Sequence, residues 1–213
     1  MFTGIIEEIG TIQRITAVQL SMQIAIKCSL IQEDMKIGDS IAVNGICLTV
    51  TRFDNHSFEA DVMPETLRST GLGDLRAGSR VNLERAMPAN GRFGGHILSG
   101  HIDGTGRLIR KTKEVNAIWL EIEAQPSILK YIVLKGSIAL DGTSLTVSQL
   151  TDRSFAVSLI PHTAEMTILA EKATGSLINI ECDVVAKYVE KLTNPSKDQT
   201  SEISIGWLQD NGF

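Results

Sequence analysis

The sequence predicts an all-β protein made of two similar units, each a small closed barrel or a sandwich, followed by a helix. Three observations predict it. First, the chain repeats itself: residues 40–84 align without a gap on residues 137–181, and 17 of those 45 pairs are identical. That is two copies of one unit rather than one long fold. Second, apolar residues alternate with polar ones at period 2, the pattern of half-buried antiparallel strands. Third, glycine turn signals fall at equivalent places in both copies, as they do in compact all-β units.

The repeat begins near the chain start, where "TGIIEEIG" from Thr3 matches "SGHIDGTG" from Ser99. Met22, Ile24, Ile26 and Cys28 then alternate with more polar neighbours, and Ile118, Leu120 and Ile122 repeat the pattern. "SIAVNGICLTV" at Ser40–Val50 answers "SIALDGTSLTV" at Ser137–Val147. Within these, Asn44-Gly45 and Asp141-Gly142 signal turns or bulges. The strand at Ile46–Val50 places Cys47 and Thr49 on one face and Ile46, Leu48 and Val50 on the other. Ser144 and Thr146 stand likewise opposite Leu145 and Val147. Phe58, Ala60 and Val62, and Phe155, Val157 and Leu159, continue the alternation. Pro64-Glu65-Thr66 and Pro161-His162-Thr163 read as proline-led helix starts.

Met87–Gly95, with one proline and three glycines, reads as the link between the units. Val184, Val185, Tyr188, Val189 and Leu192 lie at helical spacing. Thr193–Ser201 is a polar linker, and Ile203, Ile205, Trp207 and Leu208 suggest a short terminal helix. The expected division is therefore 1–90, 91–183 and a helical segment at 184–213. The apolar stripe of the first helix must be covered, either by another subunit or by the chain's own barrels.

Composition excludes several classes. The net charge of −5 with no Lys/Arg cluster argues against nonspecific nucleic-acid binding. The start has no basic n-region, so no signal peptide is expected. No apolar run approaches the roughly 20 residues that span a bilayer. Cys28, Cys47 and Cys182 are odd in number and widely spaced, which fits free thiols in a cytoplasmic protein. Signatures of the GxGxxG, GxxxxGK[ST] and GxSxG types are missing from the sequence. His96 and His101 are five apart, on opposite faces if they lie on a strand, so no shared metal is expected.

The differences between the copies are informative. Ile5 answers His101, and Cys47 answers Ser144. Two similar pockets carrying different polar groups suggest two similar ligands treated differently. The bland alternative is that these small polar residues cover the solvent face of a barrel. Cys47 then reads as a small buried hydrophobe, Lys135 as a surface lysine, and Asp183 as a cap for the following helix.

The start "MFTGIIEEIG", the strand "GDSIAVNGICLTV", the run "VMPETL", the segment "GRFGGHILSGHIDGTG" and the strand "GSIALDGTSLTV" occur in this order. Together they closely resemble riboflavin synthases of the trimeric, alpha-chain type, over about Met1 to Lys191. The resemblance implies two six-stranded antiparallel barrels before a C-terminal helix, a homotrimer, and no metal or redox cofactor. It also implies the reaction. Two molecules of 6,7-dimethyl-8-ribityllumazine dismutate, one giving the other a four-carbon unit, to riboflavin and 5-amino-6-ribitylamino-pyrimidinedione. The site forms between the first barrel of one subunit and the second barrel of its neighbour. Some members sit inside a lumazine synthase shell, and related lumazine proteins are optical antennae without catalysis.

The resemblance also assigns residues. The first pocket would use Gly4, Ile5 and Ile6, then Cys47, Leu48 and Thr49, then Asp61, Val62, Met63, Pro64, Glu65 and Thr66. The second would use Gly100, His101 and Ile102, then Lys135, Ser144, Leu145 and Thr146, then Ser158, Leu159, Ile160, Pro161, His162 and Thr163. Phe2, Ser40, Cys47, His101 and Asp183 match positions the family associates with catalysis. A base near the acidic 7-methyl group of the donor suits His101. A nucleophile for C7 of the acceptor suits Cys47 or Ser40.

Overall fold

The computed structural model describes residues 1–18, 21–193, 209 and 212. The first unit contains β1 (Glu8–Val18), β2 (Ser21–Lys27), β3 (Ser40–Val43), β4 (Ile46–Phe53), β5 (Ser57–Val62) and β6 (Arg80–Arg85). They close into an antiparallel barrel in the order β1-β2-β5-β4-β3-β6. The second unit contains β7 (Gly104–Glu114), β8 (Ala117–Glu123), β9 (Ser137–Leu140), β10 (Thr143–Leu150), β11 (Ser154–Leu159) and β12 (Leu177–Cys182). It closes in the same order, β7-β8-β11-β10-β9-β12. Barrels, not sandwiches, are the outcome, and closure leaves no free sheet edge.

The two copies bend in the same places. Register shifts fall at Ile12/Arg14 and Val50/Arg52 in the first barrel. They fall at Leu108/Arg110 and Val147/Gln149 in the second. An extra residue on one strand bends it and raises its twist, as a small sheet must do to close on itself. The period-2 alternation then points one face of each strand inward. Ile24, Ile26, Phe58, Ala60 and Val62 fill the first core, and Leu120, Ile122, Phe155, Val157 and Leu159 fill the second. Burying each such phenylalanine contributes about 1.5–3 kcal/mol relative to leaving it exposed.

Asn44-Gly45 and Asp141-Gly142 are two-residue hairpin turns with φ of 48° and 78°, and 44° and 80°. Positive φ at both central residues matches the twist of the flanking strands. The two tips meet. A Cβ on Gly45 would lie 2.7 Å from the Gly142 amide nitrogen, so glycine is required by space as well as by φ. Around this point the barrels are related by an approximate twofold. Asn82 Nδ2 donates to the Asp141 carbonyl at 2.9 Å, and Asn179 Nδ2 donates to the Asn44 carbonyl at 2.9 Å. Asn82 Oδ1 accepts from the Ile168 amide, and Asn179 Oδ1 from the Gly71 amide. Phe2, Ala42, Leu98 and Ala139 form a small third core between the barrels.

Four α-helical segments complete the described chain: α1 (Pro64–Ser69), α2 (Pro126–Leu129), α3 (Pro161–Met166) and α4 (Val184–Thr193). α1 and α3 begin at the expected prolines. α2 was not foreseen; its place in the first barrel is taken by a 3-10 turn at Leu30–Gln32. On α4 the apolar stripe is not covered by the chain's own barrels, since Val185, Tyr188, Val189 and Leu192 are all more than half exposed. The terminal helix expected at Ile203–Leu208 lies outside the described residues. Among the described residues no helix is long and apolar enough to cross a membrane.

Candidate functional site

The segments Thr3–Ile6 and Ser99–Ile102 are the key to the site, and the structure pairs them crosswise. The Cys47 amide, on β4 of the first barrel, donates to the carbonyl of Gly100 at 2.9 Å. The Ser144 amide, on β10 of the second barrel, donates to the carbonyl of Gly4 at 2.8 Å. The approach is close in both cases. A Cβ on Gly100 would lie 2.6 Å from Cys47 Cβ, and one on Gly4 would lie 2.5 Å from Ser144 Cβ. Both glycines have φ of 80°. Ile102 packs on the core of the first barrel.

The pairing runs across the grouping expected from sequence: the Gly4 carbonyl meets Ser144 rather than Cys47, and the Gly100 carbonyl meets Cys47 rather than Ser144. Each loop precedes its own barrel in the chain but completes the face of the other one, because the barrels touch at β4 and β10 on either side of the approximate twofold.

The first half-site therefore brings together Cys47, Thr49 and His101. Ser40 faces Thr49 across the β3–β4 ladder. Leu48 and Val62 are buried beneath this face. Thr49, Asp61, Met63, Glu65 and His101 are exposed, while Pro64 and Thr66 are half-buried. Three of the five catalytic candidates, Ser40, Cys47 and His101, thus lie on one open surface. Cys28 and Cys182 are buried elsewhere, and burial pushes both thiols up to about 12. Cys47 is the cysteine left at a site.

The second half-site brings together Ser144, Thr146, Ile5 and Lys135. Ile5 is half exposed. Ser158, Leu145 and Thr163 are half-buried, Leu159 is buried, and Thr146, Ile160, Pro161 and His162 are exposed. Lys135 is not an ordinary surface lysine. Its φ is +66°, and its amide donates to the Val147 carbonyl, which ties the loop to β10. A side chain held in the left-handed region costs about 1–2 kcal/mol. Strain of that kind collects at functional sites. Asp183 keeps its bland role too: its Oδ1 accepts from the Val185 amide at 3.0 Å and caps α4. Phe2 is 1% exposed; it belongs to the inter-barrel core on which Cys47 packs, and its ring lies beside Gly100.

His96 is a site residue that sequence reasoning missed. It does not lie on a strand with His101; the segment is extended and joined to the chain start by a bridge between Phe2 and Leu98. The His96 amide donates to the Thr3 carbonyl, and its Nδ1 lies 2.6 Å from Ser144 Oγ. Burial holds its pKa below the ordinary histidine value, with Asp183 opposing. Its Nε2 is buried without a hydrogen-bond partner. A proton on Nδ1 leaves only a lone pair unpaired, which costs less than an orphaned N–H. In that tautomer Ser144 Oγ accepts from His96, and its own hydrogen is free to point outward. The sequence signal was the Gly94-Gly95 pair before His96. A Cβ on Gly95 would lie 2.2 Å from the Thr3 carbonyl oxygen.

Two grooves adjoin the second half-site. One, of about 580 Å³, runs between α4 and the second barrel and touches Asp183. Another, of about 400 Å³, lies under Met87–Gly94 and touches Ile5. Among the described residues no cluster of His, Cys, Asp and Glu is arranged to hold a metal ion.

The Lumazine binding domain family matches this chain twice, at residues 3–86 and 99–183. The riboflavin synthase of Bacillus subtilis (strain 168) is 52% identical over 215 residues, covering all of both chains. That of Actinobacillus pleuropneumoniae is 50% identical, again over the full length of both. That of Schizosaccharomyces pombe is 44% identical, covering 90% of this chain and 93% of its own. Among solved structures, LumP complexed with riboflavin superposes with a TM-score of 0.80 at 26% identity. LumP complexed with 6,7-dimethyl-8-(1'-D-ribityl) lumazine gives 0.77 at 25%. Each covers 85% of this chain, and 99% and 98% of its own.

Proposed function

The chain belongs to the lumazine-binding family of riboflavin synthases, and from that membership we propose that it dismutates two 6,7-dimethyl-8-ribityllumazine molecules. One molecule gives up its four-carbon unit and leaves as 5-amino-6-ribitylamino-pyrimidinedione. The other accepts the unit and becomes riboflavin. One observation carries the reading: two half-sites of the same backbone geometry carry different side chains. His101 and Cys47 belong to the first, where Ile5 and Ser144 stand in the second, and Lys135 of the second answers Gly38; Ser40 has its like in Ser137. Two copies of one molecule need the same cradle and opposite chemical treatment, and this arrangement supplies both.

On this reading His101 assists proton loss from a 7-methyl carbon acid, directly or through water. Cys47 or Ser40 supplies a nucleophile for C7 of an acceptor. The backbone groups of the strand ends and loops hold the pteridine edges. Holding two ring systems in register supplies much of the rate through orientation.

The half-sites open to solvent on a single chain, which supports a site completed by a neighbouring subunit. The uncovered stripe on α4 supports a homotrimer joined through residues 184–213, with 1–90 and 91–183 as the lumazine-binding units. A cytoplasmic location, and association with a lumazine synthase shell, belong to the same reading. The test is to incubate the protein with the lumazine and follow riboflavin absorbance. One riboflavin per two lumazines consumed establishes the synthase. A bound but unchanged fluorescent lumazine identifies an antenna instead. Sedimentation of a chain ending before Asp183 tests the trimer, with folded monomers the expected result.

A further inference from the structure

We propose that Glu84 and Glu181 are positioning residues that act crosswise, each carboxylate in one barrel setting the half-site on the other. The proposal rests on the half-sites described above. Glu84, at the end of β6, is 4% exposed. It accepts from the Thr3 amide at 2.6 Å, the Thr3 hydroxyl at 2.7 Å and the Gly4 amide at 3.0 Å. Glu181, at the end of β12, is 2% exposed. It accepts from the Ser99 amide at 2.7 Å, the Ser99 hydroxyl at 2.7 Å and the Gly100 amide at 3.0 Å. The same three-donor clamp is thus built twice, from identical acids at equivalent positions of the repeat.

What each clamp holds is the loop that crosses over. The Gly4 amide is fixed by Glu84 of the first barrel, and the Gly4 carbonyl receives the Ser144 amide of the second. The Gly100 amide is fixed by Glu181 of the second barrel, and the Gly100 carbonyl receives the Cys47 amide of the first. A peptide plane held on both sides has little freedom left. Both clamps reach one residue further: Thr3 Oγ1, donating to Glu84, accepts from the Ile5 amide at 3.4 Å, and Ser99 Oγ, donating to Glu181, accepts from the His101 amide at 3.2 Å. Glu84 and Glu181 therefore set the backbone of Ile5 and of His101 as well.

A neutral side chain would fit this task worse. Burying a carboxylate is costly unless its oxygens are filled. Here they are filled by successive backbone N–H groups of a loop turned by a positive-φ glycine, the concave arrangement that suits an anion. Charge-assisted bonds of this kind are the strong ones. Among the described residues neither carboxylate hydrogen-bonds a half-site side chain, so the effect is through Gly4 and Gly100.

Hydrogen exchange of the full chain tests the wiring without any ligand. Glu84→Gln should speed exchange of the Ser144 amide, in the other barrel, by about tenfold or more. The Cys47 amide should stay within about twofold of the parent. Glu181→Gln should do the reverse. An effect confined to each glutamate's own barrel, or equal loosening of both amides, overturns the proposal. Should either glutamine variant fail to fold, Thr3→Ala and Ser99→Ala remove one donor from each clamp and carry the same expectation.

A binding cycle adds the functional arm, with riboflavin as the probe. The change in Kd for Glu84→Gln should be non-additive with Ser144→Ala and additive with Cys47→Ala. For Glu181→Gln the pattern should reverse. The opposite pairing would refute the crosswise assignment. If the parent binds no riboflavin while exchange follows the crosswise pattern, the proposed function fails and the wiring stands.

Discussion

The two barrels share strand order, bulges, turn positions and clamps, yet His101 answers Ile5, Ser144 answers Cys47 and Lys135 answers Gly38. At the loop before β3 the first barrel has Gly38, with φ of +92°. At the same place the second has Lys135, forced to +66°. Under the hairpin tip the first barrel has Asn44 and the apolar Leu75. The second has Asp141, which is 1% exposed, with Lys172 Nζ 2.9 Å from its Oδ2, close to the carboxylate but not aligned as a hydrogen bond. Beside β4 stands the unpartnered thiol of Cys47, and beside β10 stands Ser144 bonded to His96. The first barrel is the relaxed version of the fold. The second carries the left-handed Lys135, a half-buried lysine on a buried aspartate, and a half-buried histidine bonded to Ser144. A duplicated fold keeps its backbone because closure depends on bulges and turns. Its side chains are free to diverge where they face the ligand.

The sharpest way to break this comparison is to remove chemistry from one half-site and its counterpart from the other. His101→Gln should slow turnover by on the order of 10²-fold or more, the usual loss for an acid–base group. Cys47→Ala should also slow it, with binding largely kept. Ile5→Ala, at the position equivalent to His101, should change turnover far less. Single-turnover rates for the three variants decide it. A parental rate and pH profile in His101→Gln would reduce His101 to a packing residue and move attention to Ser40 and Asp183.

Next in size is the buried pair. Lys172→Leu leaves the Asp141 carboxylate with the Asn179 amide but without its cation, and should cost up to about 3–5 kcal/mol in urea unfolding. Burial raises the Asp141 pKa and Lys172 lowers it, so protonation of the acid limits the loss. The double variant Asp141→Asn/Lys172→Leu copies the first barrel and should return to near parental stability. If the double variant is as unstable as the single one, the equivalence between the barrels does not extend to their cores.

Lys135→Gly should separate stability from function. It relaxes a left-handed residue by about 1 kcal/mol, partly offset by the greater freedom of glycine in the unfolded chain. Stability should be unchanged or slightly higher, while riboflavin affinity or turnover falls. A clear loss of stability would show that the lysine is structural.

The smallest expected effect is a pH slope. His96 has its folded pKa depressed, chiefly by burial. Its contribution to stability is therefore complete above the unfolded value of about 6.5 and is lost as pH falls through the lower folded value. Unfolding free energy measured over that window should fall less steeply for His96→Phe than for the parent. His96→Asn, which can still reach Ser144 with a polar atom, should preserve affinity better than His96→Phe. Equal slopes in parent and His96→Phe would mean that the histidine is hydrated or charged in the folded protein.

Some of this molecule was determined by the sequence alone. Period-2 alternation, Asn-Gly and Asp-Gly turns and a gapless repeat are local signals, because each depends on neighbours a few residues apart. They were enough for two β units, for the inward faces of the strands around Cys47 and Ser144, and for helices at Pro64, Pro161 and Val184. What only the tertiary structure decided is how the units touch. The approach of β4 to Gly100 and of β10 to Gly4, the Glu84 and Glu181 clamps, and the bond from His96 to Ser144 all join residues far apart in the chain. A repeat says that two surfaces are alike. It does not say which faces which, because docking of the barrels is fixed by shape and hydrogen bonding at the meeting of Gly45 with Gly142, and no period in the sequence encodes that contact.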